Sequence, residues 1–239
     1  MMKLHILGVN GPFPESCGAT SGYLLEAENN LLQLDLGCGV LSALTALTAP
    51  ESMTALLLSH WHYDHVADVP VLMYRLEALK SVLPVYGPAD PDSPVYRLVT
   101  SSSVFSFTEV VPGQELEFSD VSVRVVDARH PVPAVGWRFS CSGRSFGYTG
   151  DTNTLPSLAK DFHGCNTLLA DSLFPHTDWS VQKPHLSAKL AAVLAEEAGA
   201  GRLILTHHSP LLPVQPRLLE ALTVHPDTVL AEPGTCLEL

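Results

Sequence analysis

His60-Trp61-His62-Tyr63-Asp64-His65 gathers three of the chain's 11 histidines and an aspartate into one short run, an HxHxDH pattern. The apolar stretch Ala55-Leu56-Leu57-Leu58 delivers it and Asp68-Val69-Pro70 beyond it suits a helix start, so the run occupies a loop at the end of a strand. In an extended chain, residues two apart point the same way. His60 and His62 can therefore face one cation while Asp64 and His65, at the turn, face another.

Further donors follow other apolar runs. His130 comes after Val121 to Ala128, Asp151 after Phe146-Gly147-Tyr148-Thr149-Gly150, and His207 after Leu203-Ile204-Leu205-Thr206. Alone, each reads equally well as turn or cap chemistry. Together with the histidine run they make five histidines and two aspartates, enough for two metal ions that share a carboxylate.

The rest of the chain describes what surrounds that cluster. With 239 residues, 46% of them hydrophobic, there is material for a sizeable core, and no low-complexity tract or linker marks a boundary, so residues 1–239 are expected to form one domain. Lys and Arg number 13 against 25 Asp and Glu, a net charge of −12, the wrong sign for a broad surface that grips a phosphate backbone. Cys17, Cys38, Cys141, Cys165 and Cys236 are odd in number and contain no CxxC pair, which points away from a disulfide framework and toward a reducing, cytoplasmic setting. The opening Met1-Met2-Lys3-Leu4-His5-Ile6-Leu7-Gly8 is too short for a secretory segment, and no apolar run reaches the ~18 residues of a membrane span.

Strands are expected at Lys3–Gly8, Gly22–Glu26, Leu31–Asp35, Ala55–Ser59, Val121–Ala128, Gly136–Ser140, Ser145–Thr149, Thr167–Asp171 and Arg202–Thr206. The clearest helix runs from an N-cap at Ser187 to Gly199. Strands mixed with crossover helices imply an α/β sandwich of sheets covered by helices. Two glycine patterns read as turns: Gly37-Cys38-Gly39 lacks the third glycine of a dinucleotide loop, and Gly143-Arg144-Ser145-Phe146-Gly147 continues as a strand where a nucleophile elbow would need a helix.

HxHxDH, then Arg129-His130-Pro131-Val132-Pro133, then Gly150-Asp151-Thr152, then Leu205-Thr206-His207 resembles the metallo-β-lactamase-fold hydrolases over essentially the whole chain. The resemblance implies a four-layer αββα sandwich. The His-Pro-Val-Pro step, and the stretch from His185-Leu186-Ser187 through a helix to Leu-Thr-His-His-Ser-Pro, look like the ribonuclease Z and small-phosphodiesterase branch; the Pro-Gly-His-Thr step of thioester and lactone hydrolases is absent. Carried over residue by residue, His60, His62 and His130 would hold one metal, Asp64, His65 and His207 the other, and Asp151 would bridge them. Asp64 and His185 would belong to the catalytic set, His185 facing the substrate phosphate as general acid or as anchor. Asp35 would accept the distal N–H of a ligand imidazole.

These implications set the expected chemistry. Two divalent ions carry +4, Asp64 and Asp151 remove two charges and a bridging hydroxide one, leaving about +1 to attract an anion and to supply the attacking hydroxide. The His-rich set, with His62 where the di-iron branch has Glu, favours Zn²⁺, although Mn²⁺ or Fe²⁺ can occupy similar sites. Ribonuclease Z proper carries a long tRNA-binding arm, expected between His130 and Asp151; the 20 residues from 131 to 150 already serve two strands and a hairpin. The expected substrate is thus a small anionic phosphodiester, of cyclic nucleotide or ribosyl cyclic phosphate type, with neither a long nucleic acid nor a membrane as partner. Alternatives are lactone, thioester or sulfate-ester hydrolysis on the same metals, tRNA processing, or a non-catalytic binding protein of this fold. Oligomeric state is not legible, and a homodimer is one possibility.

Overall fold

The computed structural model describes residues 2–239; Met1, at the head of the opening stretch, lies outside the described residues. Six strands come first: β1 (Met2–Gly8), β2 (Gly22–Ala27), β3 (Asn30–Leu34), β4 (Ala55–Leu57), β5 (Leu83–Gly87) and β6 (Phe105–Glu109). Seven more follow: β7 (Glu115–Phe118), β8 (Val121–Asp127), β9 (Val135–Cys141), β10 (Arg144–Tyr148), β11 (Thr167–Asp171), β12 (Arg202–Thr206) and β13 (Thr228–Leu230). The last, β14 (Cys236–Glu238), returns to pair antiparallel with β1. Two seven-stranded sheets result, ordered β14-β1-β2-β3-β4-β5-β6 and β13-β12-β11-β10-β9-β8-β7.

Strands apolar on both faces need cover on both sides. Along β2, Tyr23, Leu25 and Ala27 enter the core between the sheets while Leu24 faces the other way; β4 divides likewise, with Ala55 and Leu57 inward and Leu56 outward. The outer face of the first sheet is covered by α1 (Val40–Thr45), α3 (Val69–Leu79) and α4 (Pro94–Ser101), through Val40, Leu72, Leu76 and Val99; the short α2 (Tyr63–Val66) precedes α3. On the second sheet, Leu168, Leu203 and Leu205 pack against α5 (Leu158–Asp161), α6 (Ala188–Ala198) and α7 (Val214–Leu222), with alanines 191, 195 and 198 letting α6 lie close. Three cores separate four layers, which is the αββα sandwich that the resemblance implies.

All nine expected strands are present, with ends displaced by at most two residues. The largest displacement has a local cause: Ser59 leaves the ladder because the Asp35 carboxylate accepts its N–H at 2.7 Å and its hydroxyl at 2.8 Å. Helix α6 starts where expected, with the Ser187 hydroxyl accepting the Leu190 N–H at 3.2 Å, and ends at Gly199 with φ +65°. Strands β5, β6, β7, β13 and β14 are additions to the sequence reading. Pro84 in β5 costs no ladder bond, because pairing with β4 begins only at Val85.

This topology brings the functional candidates together. β3 and β4 are parallel, as are β10, β11 and β12, while β8 is separated from β10 by the antiparallel β9. The carboxyl ends of β3 and β4, and of β8, β10, β11 and β12, therefore open along one rim, the crevice where α/β sheets bind ligands. Among the described residues no helix is long and apolar enough to cross a membrane, and the five cysteines are free thiols.

Candidate metal centre

Each strand end on this rim delivers one polar residue or one short loop. The loop after β4 carries His60 and His62 and runs into α2, whose first turn presents Asp64 and His65; His130, Asp151 and His207 follow β8, β10 and β12. Two glycines allow the close approach. A Cβ on Gly11 would lie 2.2 Å from the His207 ring, and one on Gly37 would lie 2.0 Å from the Asp64 carbonyl.

The seven donors fall into two groups, each with its ligand atoms within 4.8 Å of one another: His60, His62 and His130 in one, and Asp64, His65, Asp151 and His207 in the other. In the first, His62 Nδ1 lies 3.0 Å from His60 Nε2 and 3.1 Å from His130 Nε2. In the second, Asp151 Oδ2 is 3.3 Å from His65 Nε2 and Asp151 Oδ1 is 3.3 Å from His207 Nδ1, with Asp64 Oδ2 3.7 Å from His65 Nε2. Asp151 also comes within 3.6 Å of His60 Nε2, so its carboxylate stands between the groups.

Whether cations suit these residues can be tested on the chain itself. Ligands about 2.0–2.2 Å from a tetrahedral ion stand roughly 3.3 Å apart, close to the spacings above. Among the described residues, His65 Nε2 and His207 Nε2 are buried without a well-formed hydrogen bond and face carboxylate oxygens at 3.3 Å and 3.8 Å, an unfavourable state for polar atoms that a cation between them would relieve. The carboxylates of Asp35, Asp64 and Asp151 crowd His65 and hold its imidazole well above the usual range despite the opposing effect of burial; the pocket asks for positive charge, as a proton or as a metal. Burial pushes His60 and His207 well below the histidine range and His130 down to about 4, which keeps them neutral donors. Burial alone would raise Asp151, but the surrounding His207, His65 and His185 hold it well below the carboxylate range; Asp64, with burial dominant, is pushed up to about 6. The donor set fits metal cations.

Behind the donors lies a hydrogen-bonded layer. Asp35, at φ +53° just after β3, accepts from His65 Nδ1 at 2.8 Å, from the Tyr148 hydroxyl at 2.7 Å and twice from Ser59. Ser59 Oγ also lies 3.0 Å from His60 Nδ1, and Ser21 Oγ lies 3.1 Å from His207 Nδ1. His185, in the loop before α6, stacks on His207 with centroids 5.0 Å apart and lines the same cavity of about 180 Å³ as His62, Asp64, His130, Asp151 and His207. Its Nδ1 is 2.8 Å from Asp171 Oδ2. Burial opposes charge on His185, but Asp171 and Asp151 outweigh it and raise the group to about 9.

Asp171, Ser59, Ser21 and Tyr148 have no site role in the sequence reading. Only Asp171 had a usable signal: like Asp151, it is an acid closing an apolar strand. Of the remaining histidines, His176 lies 3.0 Å from Ser187 Oγ and stacks on Trp179, outside the donor groups.

Comparison with known proteins agrees with this architecture. The family model for the Beta-lactamase superfamily domain matches residues 36–208, a span that contains all seven donors. The "Probable metallo-hydrolase YhfI" of Bacillus subtilis (strain 168) is 30% identical over 212 residues, 86% of each chain. The crystal structure of that protein matches with a TM-score of 0.93 at 29% identity, covering 100% of this chain and 99% of that one. Ribonuclease Z of Methanopyrus kandleri is 27% identical over 271 residues, covering 98% of this chain and 96% of its own, and the short form of human tRNase Z shares the fold with a TM-score of 0.82 at 19% identity over 99% and 98% of the two chains. With two sheets, a His/Asp centre at their rim and a family match across both, the chain belongs to the β-lactamase superfamily, as a metallo-hydrolase of the metallo-β-lactamase fold.

Proposed function

We propose that the protein is a dinuclear-metal hydrolase of small phosphodiesters. In this reading His60, His62 and His130 hold one ion, Asp64, His65 and His207 hold the second, and Asp151 is shared. Divalent ions bound there would lower the pKa of water to about 7 and offset the charge that develops on a phosphoryl group under attack. The observation that carries the reading is the pair of donor groups meeting at one carboxylate, with a histidine outside both of them lining the same cavity.

That histidine is His185. Asp171 takes the Nδ1 proton as a hydrogen bond, which fixes the tautomer and leaves Nε2 as the nitrogen to meet substrate. From there it can give a proton to a departing alkoxide, which leaves poorly without one. A buried His–Asp pair in this position has little use in opening a thioester, whose thiolate leaves readily. Likeness to the ribonucleases Z supports phosphodiester chemistry, while size argues for a small substrate: residues 131–150 are spent on the short turn before β9, the β9–β10 hairpin and Thr149-Gly150 after it, and the chain carries a net charge of −12. Zn²⁺ is the preferred ion for so histidine-rich a set.

The test is metal analysis of protein purified without added metal, followed by rates on bis(4-nitrophenyl) phosphate beside thioester, lactone and sulfate-ester panels. Two ions per chain and chelator-sensitive phosphodiester hydrolysis are expected. Faster turnover of a thioester or lactone would replace the reading, as would efficient and correctly placed 3′ processing of precursor tRNA.

A further inference from the structure

Asp90 lies in the loop after β5, only 8% exposed, with its backbone carbonyl accepting the Ser93 N–H at 3.0 Å. Its carboxylate has no hydrogen-bond or ion-pair partner among the described residues. Its oxygens keep contact with solvent, so they are free acceptors for a donor that a ligand brings. Asp90 lines a cleft of about 380 Å³ whose other walls include Trp61, Tyr63 and the Pro131-Val132-Pro133 turn, and among the described residues no Lys or Arg lines it.

This cleft opens onto the candidate metal centre, because His62 and Pro131 line both it and the 180 Å³ cavity over the donor groups. Its walls are stiff. Trp61 is anchored by its indole N–H to the Pro88 carbonyl at 2.7 Å and packs edge-on to Tyr96, while prolines 131 and 133 restrict the opposite loop. Tyr63, 63% exposed, leaves its ring free for a planar group.

Resting on the phosphodiesterase reading, we propose that this cleft binds the organic part of the substrate, a nucleoside-like ring whose hydrogen-bond donors are received by Asp90. Asp90 and Asp92 in the lining, with no Lys or Arg among the described residues, make the cleft a poor place for a second phosphate. Two carboxylate oxygens side by side suit paired donors, as in vicinal sugar hydroxyls or the amino edge of a base. A small quaternary ammonium fits less well: the volume is several times what it needs, and one exposed aromatic face does not make a cage.

The test is equilibrium binding of adenosine to the metal-loaded protein by calorimetry, with 2′,3′-dideoxyadenosine, purine riboside and choline as the comparison ligands. Adenosine should bind, and Asp90→Ala should weaken it roughly 10- to 100-fold, the worth of a hydrogen bond to a charged acceptor. Removing either the sugar hydroxyls or the base amino group should cost as much in the wild type and little more in Asp90→Ala, which identifies the donor. Asp90→Asn keeps the shape and loses the charge, so it should also weaken adenosine; it serves where Asp90→Ala alters the melting temperature. Equal affinity of wild type and both variants, absence of adenosine binding, or choline binding in its place would each overturn the proposal. Because no turnover is read, a protein that binds adenosine through Asp90 but cleaves no phosphodiester sinks the functional reading alone.

Discussion

The two donor groups are built differently. Asp64, His65, Asp151 and His207 are all buried, whereas in the other group only His60 is, with His62 and His130 partly open to solvent. Backing follows this division only in part. In the deep group His65 is held by an Asp35 that also accepts from Ser59 and Tyr148, and His207 has Ser21; in the other group His60 meets the same Ser59, while His62 Nδ1 meets the two imidazoles of its own group and His130 Nδ1 meets the Pro184 carbonyl. The deep group and His60 are pre-organised by second-layer hydrogen bonds; His62 and His130 exchange that rigidity for access, and His62 borders the Asp90 cleft.

Substituting the residue common to both should have the largest effect. Asp151→Ala is expected to disturb both ions and reduce hydrolysis to background, measured by metal content and rate; a variant that keeps two ions would show that the groups are independent. Next comes His185, which stacks on His207 of the deep group and meets His130 of the rim edge-on at 5.3 Å. His185→Ala should slow an alkyl or ribosyl phosphodiester by about 10²- to 10⁴-fold and a nitrophenyl one far less, with both ions retained. Equal losses in kcat/KM on the two substrates would make it a phosphate anchor.

Asp35→Asn addresses the backing itself. Its effect should be smaller, about 10- to 100-fold in the affinity of the deep ion, whose His65 it holds directly, with a lesser effect on the rim ion through Ser59 and His60. Comparable weakening of both would mean that the Asp35 network supports the whole centre. The smallest expected difference is kinetic: under a chelator, metal release followed with an indicator dye should show two phases, the rim ion leaving first. A single phase would erase the distinction between the groups.

Much of this was legible in the chain because ligand chemistry here is local. An apolar strand followed within three residues by His or Asp marks His60, His130, Asp151 and His207, and the apolar runs that bury both faces of β2 and β4 are short-range patterns. Strands β5 and β7 were harder: Pro84 interrupts one, and the other is charged and sits at a sheet edge, so each depends on its neighbour for its conformation. Asp171 and Asp90 were missed for a different reason, since an acid at a strand end or in a loop reads as turn chemistry until its partner, or the lack of one, is known.

By itself the sequence determined the donor types, their placement after strands, the pattern that requires two covered sheets and the acidic balance that disfavours long polyanions. Tertiary structure alone decided which donors stand within reach of one another, that Asp151 stands between the groups, that Asp171 lies against His185, and that Asp90 lines the cleft beside the centre with no partner among the described residues. Each of those depends on residues 14 or more positions apart being set within a few ångströms by strand order, and strand order is a property of how the sheets pair, not of any one segment.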